Sequence, residues 1–179
     1  ATRASTPPVG GDTGPPGEGE DGGGDDRPSV LFVSYTADWR GPTLSLLHLL
    51  DHLEGRYRVG VALAGSGGFL EALEERGVPH FRFDRLDKWS IPRLARIVRR
   101  RGYDLVYANS THGSARNAFL AAKLARARFV CHVRSMGWDK GWARLGYLWF
   151  ADAVIAVSDA CAASVARFVR GGRLHRVYN

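Results

Sequence analysis

SVLFVSYTADWRGPTLSLLHLLDHL, residues 29–53, is the stretch that decides the fold. It opens on the apolar run Val30-Leu31-Phe32-Val33. A strand buried on both faces reads this way, without polar alternation, and such strands belong to parallel sheets. The run stops at Ser34-Tyr35, and a polar loop follows from Thr36 to Pro42. Leucines then recur at positions 44, 46, 47, 49, 50 and 53, a helical spacing with a wide apolar face. Pro42 and Thr43 suit a helix start, because the first turn does not use proline's missing N–H. Strand, glycine-bearing loop and helix form the first unit of a doubly wound α/β domain. The end of that strand and the start of that helix face one crevice, where such folds bind ligands. Folding of the unit gives no reason for Trp39 or Arg40.

The alternation continues outward. Residues 57–64 read as a second strand and 69–76 as a short helix that Gly77 ends. Residues 80–84 form a third, alternating strand near a sheet edge. Residues 91–101 form a helix with Leu94, Ile97 and Val98 on one face and arginines over the rest, and Gly102 stops it. A fourth strand spans 104–109, an alanine-rich helix 115–126, a fifth strand 129–133 and an aromatic helix 138–150. A sixth strand spans 153–157, Ser158 caps the next helix, and a last short strand falls within 173–178. Strictly alternating strands and helices predict a single Rossmann-like, doubly wound, mostly parallel sheet with helices on both faces.

Residues 1–28 stand apart. They hold Gly, Pro, Ser, Thr and acids, with Val9 the one large apolar residue. Such a segment buries too little to offset its chain entropy and is expected to be disordered. The domain is therefore 29–179. Residues 1–28 carry two of the 25 bases and six of the 18 acids, which leaves the domain with 23 against 12, about +11. Only Lys88, Lys123 and Lys140 are lysines. An anionic partner such as phosphate or anionic lipid fits that charge, as does a genome that favours arginine codons. Cys131 and Cys161 form neither a disulfide framework nor a metal spacing and read as small buried residues, which suits a cytoplasmic compartment. No signal peptide or membrane-spanning stretch is legible.

Ligands of such a sheet bind where the strands end. Those ends carry 36–41, Asn109, Ser110 and 111–113, His132 to 137, and Ser158-Asp159. Hydroxyls, an amide, histidines and an arginine beside helix starts suit a polyhydroxylated or phosphorylated ligand. His132 is the sharpest candidate, since it ends an apolar strand where a plain core carries Val or Ile; the alternative is a core histidine bonded to a carbonyl. Arg134 binds an anion or pairs with a carboxylate. His112 reads as a loop residue, and His48, His52 and His175 as surface residues. No histidine pair has metal spacing, and no metal is expected. The loop 65–68 lacks the full dinucleotide pattern. The aromatic helix 138–150 and the arginine helix 93–101 either pack on the core with a solvated face or lie on an anionic membrane.

The ordered set VLFVSY, RGPTLSLLHLLDHL, YRVGVAL, GGFLEALEERGVPHFRFD, IPRLARIVRRRGYDLVYANST, RFVCHVRS, ADAVIAVSDACAASV and LHRVYN resembles the N-terminal, acceptor-side domain of family-four retaining GT-B glycosyltransferases over residues 29–179. The resemblance implies half of a two-domain enzyme with a cleft between the halves. It implies transfer of a hexose from a nucleotide-sugar to a glycan or lipid-linked acceptor, with the donor as substrate and no cofactor. By position, His132 is implied as the histidine facing the donor sugar. Gly41 matches the loop glycine that approaches the donor phosphates, with Arg40 where the family often carries a second glycine. Asn109, Ser110 and Arg134 match acceptor-side positions, and Ser158 matches the serine opening the helix after the sixth strand. In the family, the equivalent of Val177-Tyr178-Asn179 leads into a donor domain with paired glutamates, which these 179 residues do not contain. The expectation is a half-enzyme in the cytoplasm that is inactive alone and works with a donor domain in cis or in trans, with peripheral contact with the inner face of the plasma membrane as an option.

Three other readings stand beside it. One is a non-catalytic binding module acting with a partner chain. Another is an NAD-binding Rossmann protein, which the incomplete glycine pattern disfavours. Nucleic acid is not expected, since no recognised module accompanies the basic charge.

Overall fold

The computed structural model describes residues 26–111, 113–136 and 141–178. The expected disorder of residues 1–28 therefore lies, up to residue 25, outside the described residues, as do His112, Trp138, Lys140 and Asn179. The strands are β1 (Ser29–Ser34), β2 (Arg58–Ala64), β3 (His80–Phe83), β4 (Leu105–Ala108), β5 (Arg128–Val133), β6 (Ala153–Ala156) and β7 (Leu174–Arg176). The helices are α1 (Gly41–Leu53), α2 (Gly68–Glu75), α3 (Ile91–Arg100), α4 (Gly113–Ala125), α5 (Trp142–Leu145) and α6 (Asp159–Val165).

All seven strands pair in parallel in the order β3-β2-β1-β4-β5-β6-β7. The chain moves outward from β1 through β2 to β3, returns to β4, and then moves outward the other way. The switch point thus lies between β1 and β4, and a crevice opens beyond the carboxyl ends of those strands.

β1 is buried along its whole length and feeds both faces. Val30 and Phe32 join Leu46, Leu47, Leu50, Phe69 and Leu73 on the α1–α2 face. Leu31 and Val33 join Leu94, Val98, Phe129, Val165 and Phe168 on the other. Each such fully buried large side chain contributes roughly 1.5–3 kcal/mol. α4 packs through Ala115, Ala118, Ala121 and Ala122, a stripe small enough for close approach to the sheet. β3 is an edge strand, as its alternation predicts. Gly77 and Gly102 follow α2 and α3 with φ of +63° and +62°, the left-handed conformation that ends helices.

Three local expectations need correction. α4 starts at Gly113, so residues 113–114 are helix rather than loop. Residues 138–150 are not one aromatic helix: α5 has four residues, a 3-10 turn spans Gly146–Phe150, and 137–140 lie outside the described residues. Leu145, Tyr147 and Leu148 are buried there, whereas Trp142, Trp149 and Phe150 are exposed, so one segment serves both core and surface. Trp39 does have a packing role, since its ring meets Phe69 edge-on at 6.3 Å and covers Gly68, where a Cβ would run into the indole.

Gly60, in the middle of β2, is a second close approach. A Cβ there would collide with the ring hydroxyl of Tyr103, which is itself buried. Gly60→Ala is expected to cost about 1–3 kcal/mol by overpacking. Urea denaturation checks this, and Tyr103→Phe in the same chain should recover part of the loss.

Candidate functional site

The loop leaving β1 is self-bonded. The Ser34 hydroxyl donates to the Thr36 carbonyl at 2.8 Å, and the Asp38 amide donates to Thr36 Oγ1 at 3.1 Å. The buried Thr43 hydroxyl accepts from the Arg40 amide at 2.9 Å and lies 2.8 Å from the Asp38 carbonyl. These bonds fix the entry into α1 in place of an ordinary cap. Arg40 is exposed, 3.9 Å from the Asp38 carboxylate. Gly41 is the first residue of α1, and a Cβ added to it would meet nothing within 4 Å. Its φ is not left-handed either, so the chain's own folding does not require glycine there.

β4, β5 and β6 bring the remaining candidates to the same end of the sheet. Asn109 follows β4 and is 2 % exposed. Its amide nitrogen donates to the Pro42 carbonyl at 2.8 Å, and its oxygen accepts from Arg134 Nε at 3.1 Å. The side chain therefore clamps the first turn of α1 and aims Arg134; both of its polar ends are engaged. Ser110 is partly buried, and its carbonyl lies 3.7 Å from the Cys131 thiol. Ser158 caps α6, its hydroxyl accepting from the Cys161 amide at 3.2 Å.

His132 is buried near the end of β5, on the sheet face that carries Phe32 and Tyr107. Its Nδ1 is 2.7 Å from the Tyr107 hydroxyl, and its buried Nε2 has no hydrogen-bond partner among the described residues. A buried polar atom left unpaired is costly and calls for an explanation. Burial, and then the Arg134 guanidinium, pull the histidine down to about 4, so the ring is neutral near pH 7. Burial pushes the Tyr107 phenol up to about 12. A protonated phenol with one partner uses its buried hydrogen best by donating to Nδ1. The ring hydrogen then sits on Nε2, which can donate one hydrogen bond.

Tyr107 had no mark in the sequence beyond being aromatic in an apolar strand. A cleft of about 600 Å³, between the loop after β3 and the first turn of α4, was likewise not legible. Its residues lie about 30 positions apart, and Trp89 in a charged loop was the one hint. Among the described residues no group of three or more side chains could hold a metal ion. Among them, too, no helix is long and apolar enough to cross a membrane.

A likeness to solved structures gives the fold. Anabaena HepE in complex with UDP and glucose superposes with a TM-score of 0.70 at 23 % identity, over 86 % of this chain and 44 % of that one. MurG of Acinetobacter baumannii matches at 0.59 and 14 %, over 74 % and 42 %. A UDP-N-acetylglucosamine 2-epimerase from Listeria monocytogenes, named putative, matches at 0.62 and 11 %, over 83 % and 44 %. The chain thus spans less than half the length of these structures. A search of curated proteins finds no match. The family model for Glycosyltransferase Family 4 matches residues 39–179, most of the chain. With its all-parallel Rossmann-like sheet, this chain belongs to glycosyltransferase family 4 and has the N-terminal domain of a GT-B fold.

Proposed function

We propose that this domain is the acceptor-side half of a retaining hexosyltransferase. It takes a sugar from a nucleotide-sugar and passes it to a glycan or lipid-linked acceptor. No cofactor takes part, since the nucleotide-sugar is a substrate. The observation that carries the reading is His132: neutral, buried near the end of β5, and held by Tyr107, with Nε2 unpaired among the described residues. On this reading Nε2–H donates to a hydroxyl of the donor sugar and orients it as the leaving nucleotide departs. Gly41 leaves room for the donor phosphates, with Arg40 beside them. Arg134, aimed by Asn109, faces the acceptor with Ser110 and Ser158. The nucleotide is held by a donor domain, in cis or in trans.

UDP release from UDP-glucose tests this, because HepE is complexed with that donor. Residues 1–179 by themselves should release none, and adding the donor half should restore release. The product's anomeric configuration, read by NMR, should match the donor's. Equal turnover by residues 1–179 alone, or an inverted product, defeats the reading.

A second observation supports peripheral contact with an anionic membrane. Trp142, Trp149 and Phe150 remain 55, 42 and 63 % exposed around one apolar hollow. Arg144 is exposed on α5, and Arg167 stacks 4.7 Å from the Phe168 ring on which Trp142 packs. Aromatic side chains beside cations suit a lipid interface. Vesicles containing one-third anionic lipid should co-sediment the protein, and Trp149→Ser with Phe150→Ser should cut the bound fraction at least about fivefold. Equal binding by the double variant refutes the contact.

A further inference from the structure

The cleft between the loop after β3 and the start of α4 is a second site. Its three lining cations, Arg85, Lys88 and Arg116, have no carboxylate partner among the described residues. Lys88 rests 5.0 Å over the Trp89 ring, and Arg116 donates to the Ala143 carbonyl at 3.5 Å. Trp89 is 78 % exposed, although a tryptophan ring is costly to leave in water. The 13-residue α4 opens on the cleft with no acidic residue in its first turn, so its positive end is not offset. Ser114 in that turn is 93 % buried, lines the cleft, and its hydroxyl makes no hydrogen bond to any described residue.

The cleft is also braced. Asn117 donates to the Leu86 carbonyl at 2.9 Å and ties α4 to the loop, while Asp87 accepts from the Trp89 amide at 3.0 Å. That bond engages one oxygen of Asp87. Asp84 also lines the cleft and makes no ion pair with a described residue, which leaves a carboxylate able to accept from hydroxyls.

An exposed indole, three cations without a carboxylate partner among the described residues, a hydroxyl without a hydrogen bond to them and a carboxylate outside any ion pair with them make a mixed requirement. A plain anion does not use the indole or Asp84. A neutral sugar does not use the cations. We propose that this cleft binds an acidic saccharide: the ring stacks on Trp89, hydroxyls bond to Asp84 and Ser114, and a carboxylate or phosphate meets Arg85, Lys88, Arg116 and the start of α4. Resting on the transferase reading above, this gives the acceptor its chemical class, an anionic glycan or sugar phosphate.

Calorimetric titration of the 179-residue chain at low salt tests it, with trigalacturonate, glucose 1-phosphate, maltotriose and inorganic phosphate as probes. At least one acidic sugar should bind about tenfold more tightly than both maltotriose and inorganic phosphate. Trp89→Ala and Arg116→Ala should each weaken it about tenfold, and added salt should weaken it further. Preference for trigalacturonate assigns a carboxylate, and preference for glucose 1-phosphate assigns a phosphoryl group. Trp89 is exposed, so its removal leaves the fold intact. Maltotriose binding as tightly as the acidic sugars overturns the proposal. So does phosphate binding as tightly and indifferently to Trp89→Ala, and so does the absence of binding to every probe at millimolar concentration. No nucleotide-sugar enters the titration, so its failure leaves the transferase reading to the UDP-release assay.

Discussion

His132→Ala is expected to lower sugar transfer by about a hundredfold or more when assayed with the donor half present. Removing one preorganised donor from an enclosed site typically costs that much. The effect should fall on kcat more than on acceptor KM, because the ring is assigned to the donor sugar. The companion variant is Tyr107→Phe, which keeps the ring packing against Phe32, whose centroid is 5.0 Å away. It removes the hydroxyl that lies 2.7 Å from Nδ1. Without it, the imidazole loses the partner that keeps its hydrogen on Nε2. Transfer should fall about tenfold, and the nitrogen NMR shifts of His132 should report a mixed tautomer. Unchanged shifts would remove the positioning role from Tyr107. An unchanged kcat in His132→Ala would remove the histidine from the chemistry.

The same residue should make the domain acid-sensitive. The folded state holds His132 at about 4, against about 6.5 in an unfolded chain. Between those values the unfolded chain binds the extra proton, so stability rises with pH across that window and falls as pH drops from about 6.5 toward 4. The full span corresponds to roughly 3 kcal/mol, a large share of a small domain's stability. Urea midpoints measured from pH 7 to 4 check this. His132→Gln, which cannot charge, should flatten the slope. A slope unchanged by that substitution would mean the histidine titrates elsewhere. Asp104 contributes separately at lower pH: bonds from the Ser29 hydroxyl and amide hold its carboxyl below the ordinary value, so its share is lost only as pH falls below that range.

Much of the architecture was written in local pattern. The runs at 30–33 and 153–157 are strands because nothing polar interrupts them, 129–133 is one despite the single polar His132, and each lies inside the sheet. Gly77 and Gly102 end helices because a left-handed residue is needed there. In the aromatic stretch, the described residues 141–150 split between core and surface instead of forming one helix. Leu145 and Leu148 are drawn into the core, and Trp142, Trp149 and Phe150 are left outside. The packing of Trp39 leaves no local trace because the helix it covers begins 29 residues later, at Gly68.

Sequence by itself determined the class of fold and where along the chain the loops at its strand ends fall, since both follow from short-range periodicity. It marked His132 by chemical incongruity in an apolar strand. Only the tertiary structure joined His132 to Tyr107, 25 residues earlier on the neighbouring strand. It likewise turned Asn109 from a loop amide into the clamp between Pro42 and Arg134. The cleft of Trp89, Ser114 and Arg116 belongs to the same class of fact. Parallel strands bring distant segments together through crossovers, and the partner a polar side chain meets is set by strand order and register, which no local pattern encodes.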